Sequence, residues 1–221
     1  MKTGIFGGTF DPLHNGHLAI ASHFYHQCGL DRVLFIPAAW PPHKPAGPLA
    51  SFPQRLAMTE RATRGQRAFF TCDIEGQRPG RSYSVDTLNQ LRQHYPTDRF
   101  YFLIGMDSLL ELDSWKEFRR LPQLCHLVVA QRPGYSAITG QTELPVALQP
   151  DFCYDPALPG FRHKDGNLLI FLKETDCPIS STQVRTALRQ HQPVEQLVPA
   201  VVLAYIRQHQ LYGVDFVKES H

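Results

Sequence analysis

Short apolar runs alternate along the chain with stretches of helical period. Thr3–Phe6 is an apolar run that ends in Gly7-Gly8, and Leu18, Ala21, Tyr25 and Cys28 then recur at steps of three and four, the spacing of one face of an amphipathic helix. Arg32–Pro37 (RVLFIP), Phe69–Ile74, Arg99–Ile104 (RFYFLI), Leu127–Ala130 and Leu168–Leu172 have the continuous apolar content of buried strands. Between them, Phe52–Thr63 reads as a helix with Ser51 as its cap and Pro53 in the first turn, where proline is tolerated. Ser84–Gln93 and Ser181–His191 read as further helices, and Val198, Val201, Val202, Tyr205 and Ile206 form the stripe of a last one. Strands alternating with helices predict an α/β fold, a doubly wound parallel sheet with helices on both faces and a C-terminal helical segment. In such a fold ligands bind at the carboxyl ends of the central strands.

One stretch breaks the rhythm. Pro133–Gly166 holds five Pro and four Gly with no clear period, and it reads as a long irregular insertion with room for short strands, of the kind often tied to function. The chain is otherwise organised as one domain over residues 1–213, with C-terminal helices from around Ser181 and a solvated tail over 214–221.

Composition narrows the class. Charged residues make up 19% and hydrophobic residues 43%, which is a globular and not a disordered balance. A net charge of +2 is too small to signal nucleic-acid binding, so no nucleic-acid partner is expected. The five cysteines are odd in number, widely spaced and without a C-x-x-C pair. They read as reduced thiols and not as a disulfide framework or a zinc ribbon, and no protein metal site is expected. With no apolar run long enough for a signal peptide or a membrane span, a cytoplasmic location with no membrane partner is expected.

The chemistry concentrates where the first strand ends, in Gly7-Gly8-Thr9-Phe10-Asp11-Pro12-Leu13-His14-Asn15-Gly16-His17. Two glycines after a strand let backbone N–H groups approach a phosphate, and the helix that follows points its positive end at the same place. His14 and His17, three apart, share a face of that helix N-terminus and can donate to phosphate oxygens. The string is neither G-x-G-x-x-G nor a P-loop. Ser180-Ser181-Thr182 opens another helix with hydroxyls and free N–H groups suited to an anion, and Arg185, which opposes the helix dipole there, gains if it reaches one.

The string GGTFDPLHNGH resembles the signature of the nucleotidyltransferases that carry an H-x-G-H motif, and the chain most closely resembles the bacterial nicotinate-nucleotide adenylyltransferase family. The resemblance continues through PAAWPPHK at Pro37–Lys44, SYSVDTL at Ser82–Leu88, GMDS at Gly105–Ser108 with Trp115, RPGY at Arg132–Tyr135, ISSTQVR at Ile179–Arg185 and the closing Leu211-Tyr212-Gly213. These blocks span nearly the whole chain in order.

The resemblance implies adenylyl transfer from ATP, carried with Mg²⁺, to nicotinate mononucleotide in NAD biosynthesis, giving nicotinate adenine dinucleotide and pyrophosphate. The mononucleotide phosphate is already an anion near neutrality, so no protein nucleophile is required. Catalysis should come from alignment and charge neutralisation. On that basis Gly7, Gly8, Thr9, Phe10, His14, His17, Ser180, Ser181, Thr182 and Arg185 are expected to hold the ATP phosphates, with His14, His17, Lys44 and Arg185 the catalytic set. His43, Lys44, Ser84, Thr87, Gly105, Asp107, Trp115 and Arg132 are expected around the pyridine nucleotide. Trp115 is implied to stack on the ring, Ser84 and Arg132 to meet its carboxylate, and Asp107 to hold a ribose hydroxyl, an ordered water or a metal. Ser84 and Lys116 depart from the family, which often has Thr and an aromatic residue at these places. Lys116 weakens any claim to a second stacking residue and brings a charge that could favour a carboxylate. The alternatives are the same transfer to nicotinamide mononucleotide or phosphopantetheine, a class I aminoacyl-tRNA synthetase fragment, and a non-catalytic nucleotide sensor on the same fold. Homo-oligomerisation is left open.

Overall fold

A computed structural model describes residues 1–42, 47–131, 140–157, 160–173 and 178–213. The chain runs β1 (Lys2–Gly8), α1 (Asn15–Cys28), β2 (Arg32–Pro37), α2 (Phe52–Thr63), β3 (Phe69–Thr71), α3 (Ser84–His94), β4 (Arg99–Gly105), α4 (Met106–Leu110), α5 (Leu121–Leu124) and β5 (His126–Ala130). It continues through β6 (Phe152–Asp155), β7 (Gly160–His163), β8 (Leu168–Leu172), α6 (Ser181–Arg189) and α7 (Ala200–Gln208). Among the described residues these strands make one sheet in the order β3-β2-β1-β4-β5-β8-β7-β6.

The strand order locates the site. From β1 the chain winds outward through β2 and β3, then returns to place β4 on the other side of β1. The winding direction therefore reverses between β1 and β4, and the helices that leave their carboxyl ends diverge to open a crevice there. Gly7 and Gly8 end β1, and Gly105 ends β4.

Alternation along the parallel strands sends neighbouring side chains to opposite faces, and both faces are apolar because both are covered. Phe35, Leu103, Val128 and Leu172 belong to a core shared with Phe24, Met58, Val184 and Val202 of α1, α2, α6 and α7. Leu34, Phe102, Val129 and Leu169 face the opposite core with Leu88 and Leu91 of α3, Met106 and Leu109 of α4 and Leu121 of α5.

Three details differ from the sequence expectation. The sheet is mixed, because the inserted stretch folds back as the β6–β7 hairpin and β7 pairs antiparallel to β8. The third apolar run pairs only over Phe69–Thr71. In the last helix Val201 is 52% exposed. That helix begins at Ala200 after Pro199, so Val198 reaches the core from outside it and Val202, Leu203 and Ile206 carry the buried face.

Candidate active site

The turn from β1 into α1 is built by its own side chains. His14 is the N-cap of α1 in extended conformation. Its Nδ1 accepts from the His17 backbone N–H at 3.3 Å, and His17 Nδ1 accepts from the His14 N–H at 3.2 Å. The two rings stack with centroids 3.6 Å apart and planes 24° from parallel. An imidazole nitrogen that accepts a hydrogen bond carries no proton, so both neutral rings hold theirs on Nε2. This is a capping box made from histidines, and the sequence spacing that suggested a shared face is what builds it. His14 is buried behind the turn, whereas His17 lies on the cavity wall, edge-on to Phe10 at 5.0 Å.

Phe10 has φ 48° and is buried, and its ring comes so close to Gly8 that a Cβ there would sit 2.9 Å from it. Glycine at position 8 is thus required by the turn's own packing. Asp11 anchors the turn. Its carboxylate accepts from the Leu49 and Ala50 N–H groups at 2.9 and 3.1 Å and from the Tyr212 hydroxyl at 2.8 Å. Arg55 is buried and donates to the carbonyls of Thr9, Ala50 and Ala39. Burial lowers its pKa from the ordinary value, and the Asp11 charge opposes that shift.

A cavity of about 740 Å³ opens at the switch point between β1 and β4, a volume usual for small-molecule sites. One end is lined by Gly7, Gly8, Thr9, Phe10 and His17. The other is lined by Ser82, Tyr83, Ser84 and Thr87 at the start of α3, by Gly105, Asp107 and Ser108 after β4, and by Ser114, Trp115 and Lys116. Trp115 is half-buried, packing edgewise against Phe102 at 6.4 Å and reaching the cavity wall. Asp107 is exposed at the start of α4, and a Cβ on Gly105 would fall 2.3 Å from its Oδ1. Glycine at position 105 therefore lets Asp107 turn back over the end of β4.

Thr87 is placed differently from the other polar wall residues. Its hydroxyl donates to Glu75 Oε1 at 2.6 Å, lies 2.7 Å from the Arg78 guanidinium that donates to it, and is 3.2 Å from the Tyr83 carbonyl. Arg78 also donates to Gln90 and to that same carbonyl, and among the described residues the buried Glu75 Oε2 has no partner. Ser82 joins this wall to the β2–α2 loop by exchanging hydrogen bonds with the Trp40 backbone.

The N-terminus of α6 docks beside the β1–α1 turn and is not part of the cavity wall. Ser180 caps the helix by accepting from the Gln183 N–H, and Ser181 donates to the Pro12 carbonyl at 3.0 Å. Arg185 donates to the Asp11 carbonyl at 2.7 Å and to the Thr182 hydroxyl at 3.1 Å. The charge that opposes the α6 dipole is thus met by protein oxygens, while Ser180 and Thr182 remain exposed. The expected residues His43, Lys44 and Arg132 lie outside the described residues. Among the described residues no cluster of three His, Cys, Asp or Glu could hold a metal, and no helix is long and apolar enough to cross a membrane.

The cytidylyltransferase-like family model matches residues 5–187, from β1 to α6, the span that builds both sides of the cavity. The "Probable nicotinate-nucleotide adenylyltransferase" of Syntrophotalea carbinolica is 48% identical over 96% of this chain and 97% of its own length. The protein of the same name from Geobacter sulfurreducens is 45% identical over 97% and 100%. The chain belongs to the nicotinate-nucleotide adenylyltransferase family. Its fold is also that of a solved structure, "Plasmodium falciparum nicotinic acid mononucleotide adenylyltransferase complexed with NaAD". That likeness has a TM-score of 0.71 at 18% identity, over 97% of this chain and 99% of the other.

Within this family member, several residues that shape the site escaped the sequence reading. Asp11 lies in the quoted motif, but its partner Tyr212 is 201 positions away. Arg55 and Glu75 carry no local signal at all, since an Arg in a helix and a Glu in a loop are ordinary surface residues until the fold buries them. Only their burial and hydrogen bonds mark them.

Proposed function

We propose that the chain joins ATP to nicotinate mononucleotide. A phosphate oxygen of the mononucleotide forms a bond to the α-phosphorus of ATP, the bond between that phosphorus and the bridging oxygen breaks, and pyrophosphate leaves with the electron pair. The observation that supports this best is the continuous cavity at the switch point, with the β1–α1 turn at one end and Ser84, Asp107 and Trp115 at the other.

Each group has a physical task. The N–H groups of Gly7–Phe10 and the α1 N-terminus receive ATP phosphates. His17 donates from Nε2 to the charge that develops on the transferred and leaving phosphates, and His14 keeps it in the productive tautomer and orientation. Ser180–Thr182 and Arg185 extend the anion site from α6, with Lys44 adding a cation from the β2–α2 loop. Trp115 covers the pyridine ring, Ser84, His43 and Arg132 meet its substituent, and Asp107 holds the ribose. Thr87, through Glu75 and Arg78, sets the start of α3.

Mg²⁺ would come with the ATP phosphates, whose oxygens are its usual ligands, and Glu75 and Asp107 are the carboxylates among the residues that line the cavity. When bound it neutralises phosphate charge. A cytoplasmic location belongs to this reading, because Cys28, Cys72, Cys125 and Cys153 are free thiols.

The test is a substrate panel with ATP and Mg²⁺, following pyrophosphate release and product mass. Turnover of nicotinate mononucleotide with kcat/KM at least about 10-fold above nicotinamide mononucleotide is expected. Preference for the amide moves the chain to another substrate, and no turnover of either refutes catalysis.

A further inference from the structure

Lys116 follows Trp115 on the cavity wall, in the turn between short turns of helix over Leu112–Ser114 and Phe118–Arg120. Its ammonium is held in two ways. It donates to both oxygens of Asp86, at 2.9 and 3.1 Å, and it stands 5.0 Å from the centre of the Tyr83 ring. Asp86 belongs to the first turn of α3 and Tyr83 is that helix's N-cap. The pair therefore joins the two walls of the cavity at the end where Ser84 and Trp115 lie.

The placement has a direction. Lys116 lines the cavity, whereas Asp86 does not. The pair is thus a dipole whose positive partner is the one that belongs to the cavity wall. It lies beside the positive end of α3, and the two fields add. Both partners are partly exposed, at 41% and 36%, so the ion pair itself contributes little stability and the ammonium can shift toward an incoming anion without stranding a buried charge. A neutral carboxamide gains less from this field, because it carries no net charge and only its carbonyl oxygen can accept from the ammonium.

We propose that Lys116 is a specificity-determining residue, which favours a mononucleotide bearing a ring carboxylate over one bearing a carboxamide, with Asp86 and Tyr83 holding its ammonium at the cavity wall. The inference rests on the proposed reaction. Replacing Lys116 removes the positive end of the dipole and uncovers Asp86, so selection against a carboxylate appears in its place.

The experiment measures kcat/KM for nicotinate and nicotinamide mononucleotides in the wild-type chain and in Lys116→Met, Asp86→Asn/Lys116→Met and Arg81→Met. Arg81 is an exposed cation on the same cavity wall and serves as the control for charge in general. The acid-to-amide ratio is expected to fall about 10-fold in Lys116→Met, the scale of one partly screened charge contact. The fall should come through KM for the acid with kcat little changed, and it should be partly restored in the double variant, which no longer leaves Asp86 uncovered. An unchanged ratio, an equal loss on acid and amide, or an equal fall in Arg81→Met overturns the proposal. A wild-type chain that turns over neither mononucleotide overturns the proposed reaction instead, before any variant is compared.

Discussion

Removing one oxygen from Tyr212 tests how the far end of the chain supports the site. Its hydroxyl donates at 2.8 Å to Asp11 Oδ1 in a buried position, and Tyr212→Phe keeps the ring and its packing. A hydrogen bond to a charged group is worth about 1.5–3 kcal/mol. Asp11 keeps the Leu49 and Ala50 N–H donors, so the carboxylate is not stranded, and the lower part of that range applies, about 1.5–2 kcal/mol. For a chain of this length that is a drop in Tm of about 3–8 °C. Urea denaturation at pH 7 measures it. The pH dependence adds a second signature. Burial, and then the Asp11 charge, raise the Tyr212 pKa above its ordinary value. A group with a raised folded pKa contributes fully below its unfolded value, about 10 for a phenol, and the contribution is lost progressively as pH rises from there toward the higher folded value. The stability gap between wild type and variant should therefore narrow above about pH 10, because only the wild type has this phenol to ionise on unfolding. Since Asp11 also receives Arg185 through its carbonyl, a slackened turn should raise KM for ATP about threefold or more. Stabilities equal within about 0.5 kcal/mol at pH 7, or a gap that does not change with pH, would refute the reasoning.

Other perturbations separate the site from its scaffold. His17→Ala should leave the fold intact and lower kcat by about 100-fold or more, the scale of one electrostatic contact in a transition state; an unchanged kcat removes His17 from the chemistry. Trp115→Ala should raise KM for the mononucleotide about 10-fold or more while KM for ATP moves far less, and equal rises in both would assign Trp115 to the core through Phe102. At the opposite end of the sheet, Asp98 accepts from Thr3, Arg32 and the N-terminal ammonium. Burial would raise its pKa, but these donors outweigh it and the net shift is downward. Its contribution is therefore present above the ordinary carboxyl value and is lost as pH falls through the lower folded value. Asp98→Asn should be less stable at pH 7, with the deficit shrinking progressively as pH falls below about 4, and KM for both substrates should stay as in the wild type. A deficit that persists in acid would contradict the assignment.

Much of the site was legible because its parts are local. The Gly-Gly turn and the H-x-x-H spacing of the α1 cap each lie within a few residues of one another, and the Ser180–Thr182 helix start is as compact. Where the reading stopped short, the determining contact was distant. Thr87 belongs to a buried cluster with Glu75 and Arg78, and Arg185 meets the Asp11 carbonyl across 174 positions. The insertion showed no period because a two-stranded hairpin at a sheet edge needs only four residues per strand, too few to impose a pattern.

By itself, the sequence determined the type and order of the elements with a clear period, and it placed the Gly-Gly turn at the end of the first strand. Hydrophobic period and turn chemistry act over a few residues and need no knowledge of neighbours. Tertiary structure decided which strand lies beside β1, and hence where the winding reverses and the cavity opens. It also decided which polar side chains are buried to brace the turn and which line the cavity. Those outcomes depend on contacts between segments far apart in the chain. Their strength comes from burial, which no local pattern encodes.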